Sequence, residues 1–489
     1  MKTLKISGLS RRLFIKNLGT ASMVPFLAGF STANDAGSKL EAQKSKAVLY
    51  PRPADIAASD RYAVEVDGQE SFVYSTTSPE LATYTSGHTA SWTSFDMTGA
   101  IEIRVRRNGR PINMATVRPG SAGIVPKVID GELVIRLDRP RKLAVECDRD
   151  LTDVLFIFAN EPETDIPSPD RKDVVRFGPG VHEIGKDYQL EPGKTYYLAA
   201  GAFVKGTFSG GGDGTRIMGR GVLSGADYKW PGPDTYGPGG HPGRVDLVRL
   251  EGDKLELSGI TLVDSPYYVV LARGKDCRFS NLKILAWYDN TDSISTGSGA
   301  RIDNCFIRVA DDVFKTFRTD TRISRCVVWC DKGAAFNLSW KVPQDCGGSV
   351  VRDCDVIHHK PFEDKLHRWT GAVFRSWFGG GGHIHDILFE DIRIEGQSPR
   401  LISIHFERNK WSRQSGEWGS FSKLHFRNIT ATGPFLFHSQ LLGHDAAHTI
   451  DDVVFENLRI GGELIRSAGQ MNLKTNEFVR NLSFIVTDV

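Results

Sequence analysis

The sequence predicts an all-β protein in which a parallel β-helix follows an N-terminal antiparallel β-sandwich. Three observations support this fold class. From Val48 to Pro162 the chain is a series of short segments that alternate apolar and polar residues or are rich in valine and isoleucine. The polar, proline-containing segment "EPETDIPSPDRKD" (161–173) then has the composition of a linker. Beyond it a different pattern repeats at a spacing near 22 residues.

The first 33 residues predict a twin-arginine export signal. "SRRLFIK" (Ser10–Lys16) carries the paired arginines, an apolar stretch of small residues follows, and "STA" ends at Ala33 as the predicted cleavage site. The apolar stretch is interrupted by Pro25 and is too short to span a membrane. We therefore expect a periplasmic or secreted mature chain without a membrane span.

Charge and cysteine content narrow the function classes. The chain has a formal net charge of +2, and removing the five cations of the signal changes it to −3. A nearly neutral mature chain does not favour electrostatic capture of nucleic acid. The seven cysteines are odd in number and lack zinc-finger spacing, and export of an already folded chain favours buried free thiols.

Residues 34–165 are predicted to form the β-sandwich domain. "RYAVEVDG", "AIEIRVRRNGRPI" and "ELVIRLDRP" alternate apolar and polar residues, and "DVLFIFAN" is strongly apolar. "RNGR" within the second segment is typical of a hairpin turn. Several short strands separated by such turns favour an antiparallel sandwich.

Residues 170–489 are predicted to form the parallel β-helix domain. Nine segments, from "LELSGITLVDS" to "FVRNLSFIV", each contain one alternation, a small or polar break residue and a second alternation. The break residues are Gly259, Asn281, Asn304, Arg325, Asp353, Asp391, Asn428, Asn457 and Asn481. A period near 22 residues with two short strands per unit is typical of stacked coils, about 4.8 Å apart.

Two further points concern this repeat. A second sandwich made of hairpins is the alternative, but it does not explain why one motif keeps one register over nine units. Cys305, Cys326 and Cys354 each follow a break residue directly. We therefore expect these three thiols to form one inward-facing stack.

Three aspartates in "NTDSISTGSGARIDNCFIRVADD" (Asn290–Asp312) are the candidate catalytic residues. Asp292 precedes Asp311 by 19 residues and Asp312 by 20, close to one coil, so their side chains should lie on one face about 5–10 Å apart. Like charges at this range raise at least one pKa, which sets a protonated acid beside an ionised base. Glycoside hydrolysis requires this pair of roles. Ordinary turn aspartates are the alternative.

The stretch from Tyr288 to His359 resembles glycoside hydrolase family 49, the dextranases and isopullulanases. The matching positions are Asp292, Asp311, Asp312, Lys315, Trp329, Trp340 and His358. The resemblance implies a β-sandwich joined to a right-handed parallel β-helix, and inverting hydrolysis of an α-glucan of the dextran or pullulan type. It further implies that Asp311 is the general acid, and that Asp292 and Asp312 hold and deprotonate the attacking water. The polygalacturonases are related more distantly, since their "GHG" and "RIK" segments are absent here.

Substrate contacts are expected from Lys315, Tyr288, Trp340, His358 and Trp329. Aromatic rings can stack on sugar faces, although Trp329 lies in a predicted strand and fits a packed core position equally well. Lys315 follows the aspartate pair closely, so it can either donate to a sugar hydroxyl or tune Asp311.

We expect an enzyme that acts on a polysaccharide or oligosaccharide without a metal or other cofactor. Three alternatives remain open. The basic residues Arg318, Arg322, Lys360 and Arg375 leave room for an anionic substrate, as in the polygalacturonases. A polysaccharide lyase would use the same scaffold with a different base, and a glycan-binding β-helix would have no catalytic aspartates at all.

Overall fold

The computed structural model describes residues 46–232, 243–360, 371–409, 412 and 416–487. The expected export signal, residues 1–33, lies outside this part of the chain. The regular structure of the described residues is β-strand apart from the short 3-10 helix Gly120–Ala122. Within them, no helix is long and apolar enough to cross a membrane.

The N-terminal part contains eleven strands in two sheets. They are β1 (Lys46–Leu49), β2 (Tyr62–Val66), β3 (Gln69–Ser71), β4 (Tyr74–Thr77), β5 (Thr89–Thr98), β6 (Ile101–Arg107), β7 (Ala115–Arg118), β8 (Lys127–Ile129), β9 (Glu132–Leu137), β10 (Arg141–Cys147) and β11 (Asp153–Asn160). One sheet has the order β1-β5-β11-β10-β7, with β4 also paired to β5, and the other has the order β3-β2-β6-β9-β8. Alternating residues such as Val64, Ile103, Ile135 and Leu155 form the core between them. The predicted β-sandwich is confirmed.

One strand pair departs from the predicted antiparallel arrangement. β5 and β11 pair in parallel, from Asp153 opposite Thr89 to Asn160 opposite Asp96. A parallel pair needs a long crossover connection. The five strands β6 to β10 supply that connection here, and local hairpin signals in the sequence do not reveal it.

The remaining strands form the parallel β-helix. They are β12 (Val174–Phe177), β13 (Gly180–Leu190), β14 (Thr195–Leu198), β15 (Ala202–Gly210), β16 (Arg216–Gly219), β17 (Val222–Ser224), β18 (Val248–Glu251), β19 (Glu256–Ser258), β20 (Thr261–Val263), β21 (Val270–Arg273), β22 (Arg278–Ser280), β23 (Lys283–Leu285), β24 (Ile294–Ser295), β25 (Arg301–Asp303), β26 (Phe306–Val309), β27 (Phe314–Lys315), β28 (Arg322–Ser324), β29 (Val327–Cys330), β30 (Ala334–Ser339), β31 (Cys346–Gly347), β32 (Val350–His359), β33 (Ala372–Phe378), β34 (His383–Ile394), β35 (Ile402–Phe406), β36 (Ser420–Arg427), β37 (Thr430–Ala431), β38 (Ser439–Leu442), β39 (Ile450–Glu456), β40 (Arg459–Ile460), β41 (Glu463–Leu464), β42 (Leu473–Thr475) and β43 (Leu482–Ile485). These strands lie within the predicted range 170–489, as those of the sandwich lie within 34–165.

Each coil contributes to three faces, which we number in the order the chain visits them. The first face includes β19, β22, β25 and β28; the second includes β20, β23, β26 and β29; the third includes β21, β24, β27, β30 and β33. Pairing within each face is parallel, as in Arg278 opposite Arg301. The predicted parallel β-helix is therefore confirmed.

The predicted break residues form the corner between the first and second faces. All nine have positive φ angles, from 48° at Asn481 to 79° at Gly259. Glycine, asparagine and aspartate adopt this left-handed conformation most readily, which explains their repetition at the break. Arg325, with φ 53°, is the exception by residue type.

The interior of the β-helix is built from stacked like residues. Cys305, Cys326 and Cys354 are fully buried in this core, and all seven cysteines are buried free thiols. On the later coils Phe389, Phe426 and Phe455 stack with ring centroids 5.2 and 5.1 Å apart, close to the rise of one coil.

The sandwich packs directly on the second face of the β-helix. Phe156 and Phe158, on the outer face of the six-stranded sheet, contact Phe306 with centroids 5.3 and 5.4 Å apart. Phe156 also contacts Trp329 at 6.2 Å. One continuous apolar cluster therefore joins the two parts, and the described residues from 46 onward belong to a single compact unit.

Candidate active site

The candidate site lies on the outside of the third face. On this face Phe314, Phe336 and Phe374 are paired across β27, β30 and β33, and their rings stack inside the coil. Successive strand residues point to opposite faces. The residues that follow each phenylalanine, namely Lys315, Asn337 and Arg375, therefore form a polar column on the outside.

The three aspartates meet at the corner where the chain enters this face. One carboxylate oxygen from each of Asp292, Asp311 and Asp312 lies within 4.8 Å of the others. Asp311 and Asp312 occupy an irregular bend between β26 and β27, which lets two adjacent side chains reach the same cluster. Asp311 is 9% exposed, whereas Asp292 and Asp312 are 1% and 0% exposed. The structure thus brings the predicted carboxylates together, with Asp311 the most accessible.

Asp312 is held from several directions. Its Oδ1 atom accepts hydrogen bonds from Arg375 Nη2 at 2.6 Å and from the Ala334 amide at 2.9 Å, and its Oδ2 atom accepts one from Asn337 Nδ2 at 2.6 Å. A carboxylate has about four lone-pair positions, so few remain for another partner. Asp312 is therefore suited to fixing the geometry of the cluster.

Asp292 is paired with the cation of the polar column. Lys315 Nζ lies 2.5 Å from Asp292 Oδ1, and both side chains are almost fully buried. Burial raises the pKa of Asp292 to about 8, with Asp311 and Asp312 adding to the rise and Lys315 opposing it. This group therefore changes protonation near neutral pH.

Asp311 is surrounded mainly by neutral donors. The amide of Asn290 donates to its Oδ2 atom at 3.0 Å, and the amide of Asp312 donates to its Oδ1 atom at 2.8 Å. Burial and then the charge of Asp312 raise the pKa of Asp311, while Lys332 and Arg375 act in the opposite direction. Two coupled carboxyl groups with raised pKa values can share one proton, which provides an acid and a base in one cluster.

Comparison with known proteins supports the relationship suggested by the motif. The dextranase of Arthrobacter sp. (strain CB-8) is 25% identical over 342 residues, covering 61% of this chain and 52% of the relative. The isopullulanase of Aspergillus niger is 25% identical over 457 residues, covering 79% and 80%. Dex49A from Penicillium minioluteum shares the fold, with a TM-score of 0.68 at 16% identity over 89% of this chain and 96% of that chain. No family model matches.

The chain is related to glycoside hydrolase family 49. It spans about half the length of the first curated relatives it matches, the Arthrobacter dextranases. The relationship to polygalacturonases is more distant, since "Probable exopolygalacturonase B" of Aspergillus terreus matches only 39% of this chain, at 27% identity.

Of the substrate contacts suggested by the family 49 resemblance, Lys315, Tyr288 and Trp340 stay predictions, and their surroundings differ. Lys315 binds Asp292 directly. Tyr288 lies two residues before Asn290, although its ring is buried and stacks on Trp230 with centroids 5.9 Å apart. Trp340 follows β30 and is half-buried, and its buried indole Nε1 has no hydrogen-bond partner among the described residues.

Two further predicted contacts lie on the face of the β-helix that the sandwich covers. Trp329 is completely buried between the sandwich and the β-helix, against Phe156 and the guanidinium of Arg308. His358 Nε2 lies 2.5 Å from Glu146 Oε1 of the sandwich, and its ring packs on Trp329 at 4.1 Å. Both residues belong to the second face, where they contact residues of the sandwich.

The basic residues that left room for an anionic substrate have partners within the protein. Arg375 binds Asp312 at 2.6 Å, and Lys360 binds Asp331 at 2.9 Å. Arg318 donates to backbone oxygens, including that of Phe317 at 3.0 Å, and Arg322 does the same at Thr321. Each of these four cations is therefore already engaged by oxygen atoms of the protein itself.

The cluster of three aspartates also has the spacing of a cation site. Carboxylate oxygens suit hard cations. However, Lys315 and Arg375 already bring two positive charges to Asp292 and Asp312. The negative charge of the three carboxylates is therefore partly balanced by cations of the protein itself. That the site holds no metal ion stays a prediction.

Sequence reasoning missed several residues of the site. Asn337, and the place of Arg375 in the same polar column, could have been found, because "FK", "FN" and "FR" recur at one position of consecutive third-face strands. Lys332 and Asp289, paired at 2.9 Å beside Asp311, carry no motif.

Proposed function

We propose that the protein is an exported, inverting glycoside hydrolase that cleaves α-glycosidic bonds of a glucan of the dextran or pullulan type. The observation that carries this proposal is the cluster of three aspartates within 4.8 Å, two of them with raised pKa values. The relatives named dextranase and isopullulanase support the substrate class. The polysaccharide or oligosaccharide is the only partner that this function requires.

In this mechanism Asp311 protonates the leaving oxygen. It is the most exposed of the three aspartates, and among the described residues no cation lies within ion-pair distance of its carboxyl group. Asp292 and Asp311 both have raised pKa values, so together they hold one proton near neutral pH. The ammonium group of Lys315 contacts Asp292 directly and favours the arrangement in which Asp292 is the ionised member of the pair. The proton of the coupled pair therefore rests on Asp311, and Asp292 accepts the proton of the attacking water.

Asp312 has a positioning role in this scheme. The resemblance assigned it to the water-activating pair, but Arg375, Asn337 and the Ala334 amide occupy most of its lone pairs. We therefore propose that Asp292 is the base and that Asp312 orients the cluster.

The test is Asp311→Asn, compared with Asp452→Asn as a matched control. Asp452 belongs to the other adjacent aspartate pair, Asp451–Asp452, which lies on β39 away from the site. General acid catalysis contributes about 10²–10⁴-fold, so Asp311→Asn should lower kcat on dextran or pullulan by about that factor at an unchanged Tm. Asp452→Asn should retain activity. Reducing sugar released equally by wild type and Asp311→Asn contradicts the proposal, and an ultraviolet-absorbing product reveals a lyase instead.

Product stereochemistry tests inversion separately. Inverting enzymes usually hold their carboxyl groups about 6.5–9.5 Å apart, with water between them. The 4.8 Å limit here refers to one oxygen of each group and is tighter than that range. Proton NMR of the first product should show the β-anomer, and an initial α-anomer contradicts inversion.

Export is supported by the paired arginines Arg11 and Arg12. Replacing both with lysine should retain the chain inside the cell, and unchanged export of that variant contradicts the twin-arginine route.

A further inference from the structure

A loop of the sandwich approaches the aspartate cluster. It joins β4 to β5, and its ends are closed by a 2.7 Å hydrogen bond from the Ser78 amide to the His88 carbonyl. Inside the loop the hydroxyl groups of Ser78 and Thr85 lie 2.8 Å apart, and Ala82 and Thr85 are fully buried. Tyr84 lies between these two buried residues and is itself half-buried. The loop is therefore fixed in place and holds one tyrosine ring at its surface.

Tyr84 faces a charged group on the Asp311 side of the site. Lys332 Nζ lies 5.9 Å from the centre of the Tyr84 ring and 2.9 Å from Asp289 Oδ2. Burial raises the pKa of Tyr84, Asp289 and Asp311 add to the rise, and Lys332 opposes it. The measured distances place the ring beside the ion pair of Lys332 and Asp289.

The opposite side of the cluster has a different tyrosine. Lys315, which binds Asp292, lies 5.2 Å from the centre of the Tyr268 ring. The aspartates are thus flanked by Tyr268 of the β-helix on the Asp292 side and by Tyr84 of the sandwich on the Asp311 side. A sugar chain crossing the cluster meets both parts of the protein.

Asp289 offers an unused acceptor at this position. Its Oδ2 atom binds Lys332, while its buried Oδ1 atom has no hydrogen-bond partner among the described residues. A buried acceptor without a partner is costly, and a sugar hydroxyl group supplies the missing donor. An aromatic face beside a carboxylate and an ammonium group suits a neutral hexose.

We propose that Tyr84, Lys332 and Asp289 form the subsite for the sugar unit on the leaving-group side of the cleaved bond. This inference rests on the proposed function, in which Asp311 protonates the leaving oxygen. It makes the N-terminal sandwich part of the substrate-binding cleft, with Tyr84 as a determinant of specificity for polymeric substrates.

The experiment compares Tyr84→Ala with wild type on two substrates. Isomalto-oligosaccharides carry a sugar on the leaving-group side, whereas α-isomaltosyl fluoride carries only fluoride there. The ratio of kcat/KM for the oligosaccharide to that for the fluoride should fall about tenfold in Tyr84→Ala. Glu80→Ala, an exposed residue of the same loop, is the matched control and should leave the ratio unchanged. Tm is measured for every variant.

The outcomes separate the two proposals. A lowered ratio at an unchanged Tm supports the subsite. An unchanged ratio, including equal losses on both substrates, overturns it and shows that Tyr84 acts only through the structure. Wild type that hydrolyses neither of these substrates nor pullulan overturns the proposed α-glucan hydrolase, and this subsite with it. Wild type that hydrolyses pullulan alone overturns the subsite for isomalto-type chains and leaves the proposed function standing.

Discussion

Replacing Lys315 by methionine tests the electrostatics of the site most directly. Methionine keeps much of the length and apolar stem of lysine but removes the ammonium group that lies 2.5 Å from Asp292. In the wild type, burial holds the pKa of Asp292 at about 8 in spite of this cation. An opposite charge at such a distance lowers a carboxyl pKa by about 1–3 units, so its removal should raise the pKa of Asp292 by that amount.

The expected result is a shift in the pH dependence of kcat/KM, which reports ionisation in the free enzyme. The alkaline limb near pH 8 marks loss of the last proton from the coupled pair of Asp292 and Asp311. In Lys315→Met this limb should move to higher pH by about 1–3 units. Lys341→Met, which changes an exposed lysine, serves as the control.

The pH dependence of stability in Lys315→Met should shift in the same direction as that of kcat/KM. Because the folded pKa of Asp292 is raised above its unfolded value, its contribution to stability is present at low pH and is lost as pH rises from about 4 to about 8. Without Lys315 that loss continues above pH 8, by about 1.4 kcal/mol per unit of pKa shift. Thus Tm of the variant should differ little from wild type at pH 5 and should be lower at pH 9. An alkaline limb that stays in place or moves to lower pH refutes this reasoning.

Three further predictions concern the packing around the site. Arg375→Met leaves the buried Asp312 without its cation, which should cost about 3–5 kcal/mol, and adding Asp312→Asn should restore part of the loss. An unfolding entropy of about 2.1 cal/mol/K per residue over Lys44–Val489 converts this cost into a fall in Tm of about 3–5 °C. Trp329→Ala should destabilise by about 3–5 kcal/mol without changing KM, whereas a raised KM argues for a sugar contact. The seven buried thiols should not react with Ellman's reagent in the native protein, but all should react in denaturant, and rapid native labelling contradicts their burial.

The sequence predicts the β-helix well because each coil has the same local requirement on its backbone. A residue with positive φ is needed at the same corner of every coil, and Asn, Asp and Gly mark that corner from Gly259 to Asn481. The aspartate cluster follows from the period of the repeat, since residues about one coil apart in sequence lie on neighbouring rungs. A repeat in the sequence therefore reports the spacing between rungs reliably.

What the repeat does not report is which face of the coil is covered. The resemblance implies substrate contacts for Trp329 and His358, but the sandwich covers the face on which they lie. Tyr84 is missed for the converse reason, because the docking of two distant segments brings it beside Lys332. Contacts between the two parts depend on surface shape, and no periodicity in either part encodes them.

The aromatic seam between Phe156, Phe306 and Trp329 also constrains how this molecule can be altered by recombination. A β-helix made without the N-terminal sandwich would expose this apolar face to water beside the carboxylates. Exposed apolar patches of this kind promote aggregation. Exchange of the N-terminal part between relatives must therefore replace both sides of the seam together, which ties the history of the two segments to each other.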